Sequence, residues 1–209
     1  MNLNEISLNI QMGDQNAVAA LVNQAIQEGV PAQAILNEGL LAGMDVIGEQ
    51  FKNNEVFLPE VLMAARAMNK GTELLRPFLV EQGVKNIGKA CIGTVRGDLH
   101  DIGKSLCRMM LQGKGFEVID LGVDVPADKF VQAAKDGCTI ICLSALLTTT
   151  MLEMAGVIKA LEGAGLRDSV KVMIGGAPVN QGFCDRIGAD AYTGNAAELA
   201  TRAAELARQ

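Results

Sequence analysis

Ala90-Cys91-Ile92-Gly93-Thr94-Val95-Arg96-Gly97-Asp98-Leu99-His100-Asp101-Ile102-Gly103-Lys104 is the stretch that decides the fold. Its opening apolar residues, rich in β-branched side chains, read as a strand, and the apolar spacing from Ile102 onward reads as a helix. The link between them holds the only histidine of the chain. Ligands of α/β sheets dock at the carboxyl ends of strands, where diverging loops leave a crevice, so the imidazole is placed to face one. Asp98, two residues earlier, is close enough to hydrogen-bond one ring nitrogen, fix the tautomer and leave the other free to coordinate a metal. Gly103 removes a side chain where something bulky has to approach the backbone.

The rest of the carboxyl half repeats this alternation. Strand-like segments at 90–95, 117–121, 139–143, 170–174 and 191–192 are followed by helix-like segments at 102–111, 127–134, 151–161, 180–187 and 196–207. Five such alternations imply a parallel sheet covered on both faces, because each crossover returns right-handed over the sheet. The expectation for residues 89–209 is a five-stranded doubly wound parallel α/β domain of the Rossmann or flavodoxin type.

Residues 1–84 have a different texture. Asp14 is placed to cap a helix bearing Val18, Leu21, Val22, Ala25 and Ile26, which Gly29 stops. Pro31 opens a second helix with Ile35, Leu36, Leu40, Met44, Ile47 and Phe51 on one face, and Asn53-Asn54-Glu55 breaks it. Pro59 begins a third, with Val61, Leu62, Ala65, Met68, Leu74 and Leu75 as its stripe. With a short segment at 3–10, these form a small antiparallel helical bundle. Residues 81–88, with Gly83 and Gly88, read as a linker between the two domains.

Bulk properties narrow the function classes. The 209 residues are 49% hydrophobic, ample for packed cores, but no apolar run approaches the roughly 18 residues needed to cross a bilayer. The first basic residue is Lys52, so the amino terminus lacks the features of a secretory or transit signal, and a cytoplasmic protein is expected. Net charge is −6, which argues against nucleic acid as a partner. Cys91, Cys107, Cys138, Cys142 and Cys184 are odd in number and mostly sit in apolar stretches, so they read as reduced core residues. Cys138 and Cys142 would suit a metal if helical, but the intervening Thr139-Ile140-Ile141 favours a strand.

Two further strand ends match the histidine loop. Residues 143–150 bring Ser144, Thr148, Thr149 and Thr150 to the same sheet edge, more hydroxyls than helix capping requires. Gly175-Gly176-Ala177-Pro178 offers bare backbone to an extended ligand, or else an ordinary strand-to-helix turn.

Asp98-x-His100-x-x-Gly103, followed by Ser144-x-Leu146 and Gly175-Gly176, resembles the motif set of cobalamin-binding domains that hold the cofactor with its own base displaced and a protein imidazole on cobalt. Phe57-Leu58-Pro59-Glu60-Val61 and Ala64-Ala65-Arg66-Ala67-Met68 resemble the helical cap of methyl-transferring members. Together they are similar to the cap and cobalamin-binding modules of cobalamin-dependent methionine synthase, and the two-domain plan resembles small corrinoid proteins of methyltransferase systems. The resemblance implies His100 as the lower axial cobalt ligand, with Asp98 and Thr150 completing a hydrogen-bonded set behind it. It implies Ser144 and Thr148 beside the displaced nucleotide tail, Leu146 among the cofactor-binding residues, and Gly103, Gly175 and Gly176 along the tail's channel. Phe57, joined by Leu62 and Met63, would shield the upper corrin face.

The activity implied is that of a methyl carrier on cobalamin or a related corrinoid (as methylcobalamin). A substrate-specific methyltransferase would load it, and a second, using tetrahydrofolate or a thiol such as coenzyme M, would unload it. A reductive activase would rescue oxidised Co(II), and the 81–88 linker would act as the hinge. The chain is read as having no complete active site of its own. Two other classes share the cofactor. A cobalamin-based regulatory or sensor module resembles the chain less, since its characteristic cap tryptophan is missing from a sequence without Trp. The small subunit of an adenosylcobalamin mutase usually lacks the helical cap. A flavodoxin-like domain without corrinoid is the remaining alternative, and absorbance of protein from a cobalamin-fed host separates it from the others.

Overall fold

A computed structural model of the chain describes residues 2–82 and 86–208. Residues 83–85, in the middle of the expected linker, lie outside the described residues. The chain forms two compact units, one of Met1–Asn86 with Gly113–Gly115 and one of Ile87–Gln112 with Phe116–Gln209.

The first unit is helical: α1 Asn4–Gln11, α2 Gln15–Gln27, α3 Ala32–Ala34, α4 Ala42–Lys52 and α5 Leu58–Glu81. Asp14 caps α2, accepting from the amides of Asn16 and Ala17 at 3.0 and 2.9 Å. Past the end of this helix, Gly29 takes the left-handed φ of 75°. The second expected helix is continuous from Ala32 to Lys52, but Ile35–Leu41 within it is π-helical. Apolar spacing of three and four residues does not distinguish the two windings, so the sequence did not disclose this turn. Asn54, at φ 60°, ends the helix in the expected triplet. The next helix starts one residue before Pro59, where the carboxylate of Glu60 accepts from the Phe57 amide at 3.0 Å. Ile6, Ile10, Val18, Val22, Ile35, Leu40, Ile47, Val61 and Leu75 are buried and form the interior of this unit.

The second unit is a five-stranded parallel sheet in the order β2-β1-β3-β4-β5, built from β1 Lys89–Val95, β2 Glu117–Val125, β3 Ile140–Ser144, β4 Lys171–Gly175 and β5 Ala191–Tyr192. The connecting helices are α6 Ile102–Gly113, α7 Ala127–Lys135, α8 Glu153–Gly163 and α9 Gln181–Ile187, with α10 Ala196–Leu206 closing the chain. Strand alternation sorts the core onto two faces. Cys91, Ile141, Leu143, Val172 and Ile174 pack with Phe130 of α7, Val157 and Leu161 of α8 and Phe183 of α9. Ala90, Ile92, Ile140, Cys142 and Met173 pack with Leu111 of α6 and Leu199 and Ala203 of α10.

Strand β2 runs four residues beyond the expected 117–121. Asp120, Gly122 and Asp124 interrupt its apolar pattern, as an edge strand paired on one side tolerates. The cysteines are free thiols in apolar surroundings, and burial pushes the thiol of Cys107 up to about 11, away from the thiolate a metal needs. Among the described residues no helix is long and apolar enough to cross a membrane.

Candidate functional site

The strand order places β1 beside β3, while their following helices lie on opposite faces of the sheet. Loops that leave adjacent strand ends in opposite directions open a crevice between them. The 96–101 loop after β1 and the 145–152 loop after β3 flank that opening, and one carboxylate joins them.

Asp98 is fully buried, at 0% exposure. One of its oxygens accepts from the backbone amide of His100 at 3.1 Å and meets the ring Nδ1 at 2.8 Å. The other accepts from the Leu146 amide at 2.8 Å and the Thr150 hydroxyl at 2.7 Å. All four acceptor positions of the carboxylate are thus filled. Burial opposes its charge, but the hydrogen bonds from Thr150, Leu146 and His100 outweigh that and hold the carboxyl well below the usual carboxylate range. An ionised Asp98 is an acceptor only, so the imidazole proton resides on Nδ1. Nε2 then carries the lone pair, on a ring that is 50% exposed.

The backbone of the loop is fixed independently. Thr94, buried at the end of β1, donates its hydroxyl to the His100 carbonyl at 2.7 Å. Lys104, in the first turn of α6 and only 2% exposed, pairs with Asp101 at 2.8 Å and with Asp120 of β2. The Lys104 ammonium beside Asp101 holds that carboxyl below its usual range. A lysine is rarely buried unless paired, and here the pairing ties the residue after His100 to the edge strand.

The expected site residues fall into four groups. Asp98, His100, Leu146 and Thr150 are joined directly, with Leu146 taking part through its amide. Ser144 pairs in register with Gly175 across β3 and β4, and Thr148 is exposed in the loop between Ser144 and Thr150. Gly103 and Gly176 differ in kind. A Cβ on Gly103 would meet nothing within 4 Å, whereas one on Gly176, at φ 132°, would lie 1.7 Å from the Ala145 carbonyl oxygen. The fold itself therefore requires glycine at 176. Phe57, exposed at 67%, half-buried Leu62 and exposed Met63 belong to the helical unit. Thr94 and Lys104 were not singled out from sequence, although a threonine in an apolar strand and a lysine at a helix start were the available signals.

These residues suit a corrinoid. A half-exposed imidazole whose Nε2 carries the lone pair would offer a cobalt centre a nitrogen donor. Leu99, Ile102, Leu146 and Leu147 are exposed apolar side chains on the loops and helix start around it, fitting a large flat ring with apolar faces. The open space at Gly103 leaves room beside the loop.

Comparison with known proteins agrees. Residues 88–204 match a family model described as B12 binding domain, and residues 3–76 match a second model of the same description. Dimethylamine corrinoid protein 1 of Methanosarcina acetivorans is 47% identical over 194 residues, covering 92% of this chain and 91% of the relative. A crystal structure of a cobalamin-binding protein from Desulfitobacterium hafniense superposes with a TM-score of 0.82 at 33% identity, covering 98% of both chains. A chain of the methanol:cobalamin methyltransferase complex from Methanosarcina barkeri superposes with a TM-score of 0.88 at 29% identity, over 99% of this chain and 79% of that one. On these matches the chain belongs to the B12-binding corrinoid proteins of methyltransferase systems, with cobalamin or a related corrinoid as its cofactor.

Proposed function

We propose that the protein is a methyl carrier, loaded by one methyltransferase and unloaded by another, with His100 as the lower ligand of its corrinoid. The bound corrinoid supplies a cobalt centre that accepts and releases a methyl group. The chain supplies aim and protection. The observation that carries this reading is the 2.8 Å contact between Asp98 and Nδ1, which presents Nε2 outward as a ligand able to leave and return. The Asp98 carboxylate holds the ring proton on Nδ1 and so keeps Nε2 as the atom that would meet cobalt. Thr150 and the Leu146 amide keep that carboxylate from turning away.

Ser144, Thr148, Gly103 and Gly175 are assigned to the nucleotide tail, and residues 1–84 to a cap whose Phe57, Leu62 and Met63 cover the upper ring face. Residues 81–88 serve as the hinge between cap and the 89–209 domain, so that two enzymes take turns at the cobalt. A methylamine relative and a methanol-system relative support a small methylated donor. Tetrahydrofolate or a thiol such as coenzyme M is the acceptor class, and a reductive activase restores oxidised cobalt.

Reconstitution with a corrinoid and comparison with His100→Ala tests the ligand. Loss of the imidazole is expected to shift the visible spectrum while the fold survives, and an unchanged spectrum overturns the assignment. Incubating the loaded protein with candidate methyltransferases and dimethylamine, trimethylamine or methanol then identifies the donor. Failure with every enzyme pair tried would count against the shuttle while leaving the ligand assignment intact.

A further inference from the structure

The end of edge strand β2 carries a residue whose conformation nothing in the core explains. Asp124 is exposed, outside both apolar faces of the sheet, and has a left-handed φ of 53°. A residue with a Cβ holds that conformation where surrounding contacts over-determine it. Two hydrogen bonds of Asp124 outside the strand ladder go to the histidine loop. Its amide donates to the Asp98 carbonyl at 2.9 Å, and its carboxylate accepts from the Gly97 amide at 2.7 Å. Gly97 itself has φ 79°, so neither amide partner in this clamp sits in ordinary extended backbone. The pairing of β1 with β2 shifts register on either side of Gly93, which delivers the strand end to the loop out of step with the ladder.

We infer that Asp124 is a positioning residue for the His100 imidazole, holding the Gly97 amide and the Asp98 carbonyl on either side of residue 98's side chain so that the buried carboxylate, and through it Nε2, points in one direction. This rests on the reading that His100 ligates the corrinoid cobalt. None of the hydrogen bonds of Asp124 among the described residues goes to the ring or to the other three groups around the Asp98 carboxylate. Its effect passes through the backbone of residue 98.

The chain's single histidine makes the test specific. Wild-type protein grown with histidine carrying the heavy nitrogen isotope is reconstituted with cob(II)alamin, and electron paramagnetic resonance reads the nitrogen splitting on cobalt. Splitting that changes with the label comes from His100 and not from the cofactor's own benzimidazole. Asp124→Ala is expected to raise the ratio of detached to attached imidazole by roughly threefold to tenfold, the effect of one lost hydrogen bond. Asp124→Asn, which keeps an acceptor oxygen and tolerates left-handed φ, is expected to restore the wild-type ratio. Asp124→Gly frees the backbone without supplying the acceptor, so it should resemble Asp124→Ala, and it carries the test should the alanine variant not fold.

A wild-type ratio in Asp124→Ala overturns the inference, as does restoration by glycine or failure of asparagine to restore. Wild-type splitting that ignores the isotope overturns the ligand assignment itself, and this inference with it. The two failures are therefore told apart by which protein shows them.

Discussion

Gly103 and Gly176 each follow a strand whose carboxyl end faces the same sheet edge, Gly103 at the start of a helix and Gly176 in a turn, and they answer to different constraints. At Gly176 the backbone turns through φ 132° and a methyl group would overlap the Ala145 carbonyl. Nothing but glycine closes the turn between β4 and α9 while β3 runs alongside. At Gly103 the backbone is ordinary helix and the surrounding space is open. There the polypeptide gains nothing from glycine, which as the second residue of α6 is less favourable than alanine by at most the roughly 0.5–1 kcal/mol of a helix interior. One glycine serves the fold, and the other is the one that the proposed corrinoid site would use.

Substitutions at these positions give the sharpest test. Gly176→Ala is expected to lower the stability of the unliganded protein by about 3 kcal/mol or more, seen as a reduced urea midpoint, because strain and overlap act together. A midpoint equal to wild type would remove the distinction between the two glycines. Asp98→Asn is expected to weaken corrinoid binding or transfer by about 10- to 100-fold, since it disturbs the partner of the proposed ligand and not His100 itself. A loss larger than that of His100→Ala would reverse this order. Thr150→Val keeps the shape but withdraws one donor from the buried carboxylate, and is expected to cost about 1–2 kcal/mol of apo stability in chemical denaturation. The smallest effect carries the opposite sign. Gly103→Ala should stabilise the apo protein by at most about 0.5–1 kcal/mol while corrinoid titration shows weaker binding. Stabilisation with undiminished binding would mean that the space at Gly103 is not used.

The difference between these glycines also marks how far the sequence could be read. Spacing alone placed Asp98 two residues before His100 in a strand-to-helix loop, and the periodicity of residues 89–209 disclosed the parallel sheet. Thr150 entered through its resemblance to a known family, and its bond to Asp98 spans 52 residues. The amide of Leu146 was hidden for a different reason. Every residue has a backbone amide, so no pattern of side chains marks the one that a buried carboxylate will recruit. Lys104 and Asp120 lie on a helix and a strand whose juxtaposition depends on the sheet order, which alternation predicts only as a class. The π-helical turn at Ile35–Leu41 and the left-handed Asp124 depend on backbone torsions, to which hydrophobic periodicity is nearly blind.

The saturation of Asp98 has a consequence for how the protein acquires its cofactor. Each bond that orients the imidazole starts and ends within the polypeptide, from the Leu146 amide to the Thr150 hydroxyl. The entropic cost of ordering this loop is therefore met during folding, before any corrinoid arrives. Newly made chains thus carry the loop already set, with the His100 ring aimed before the corrinoid it is proposed to ligate arrives.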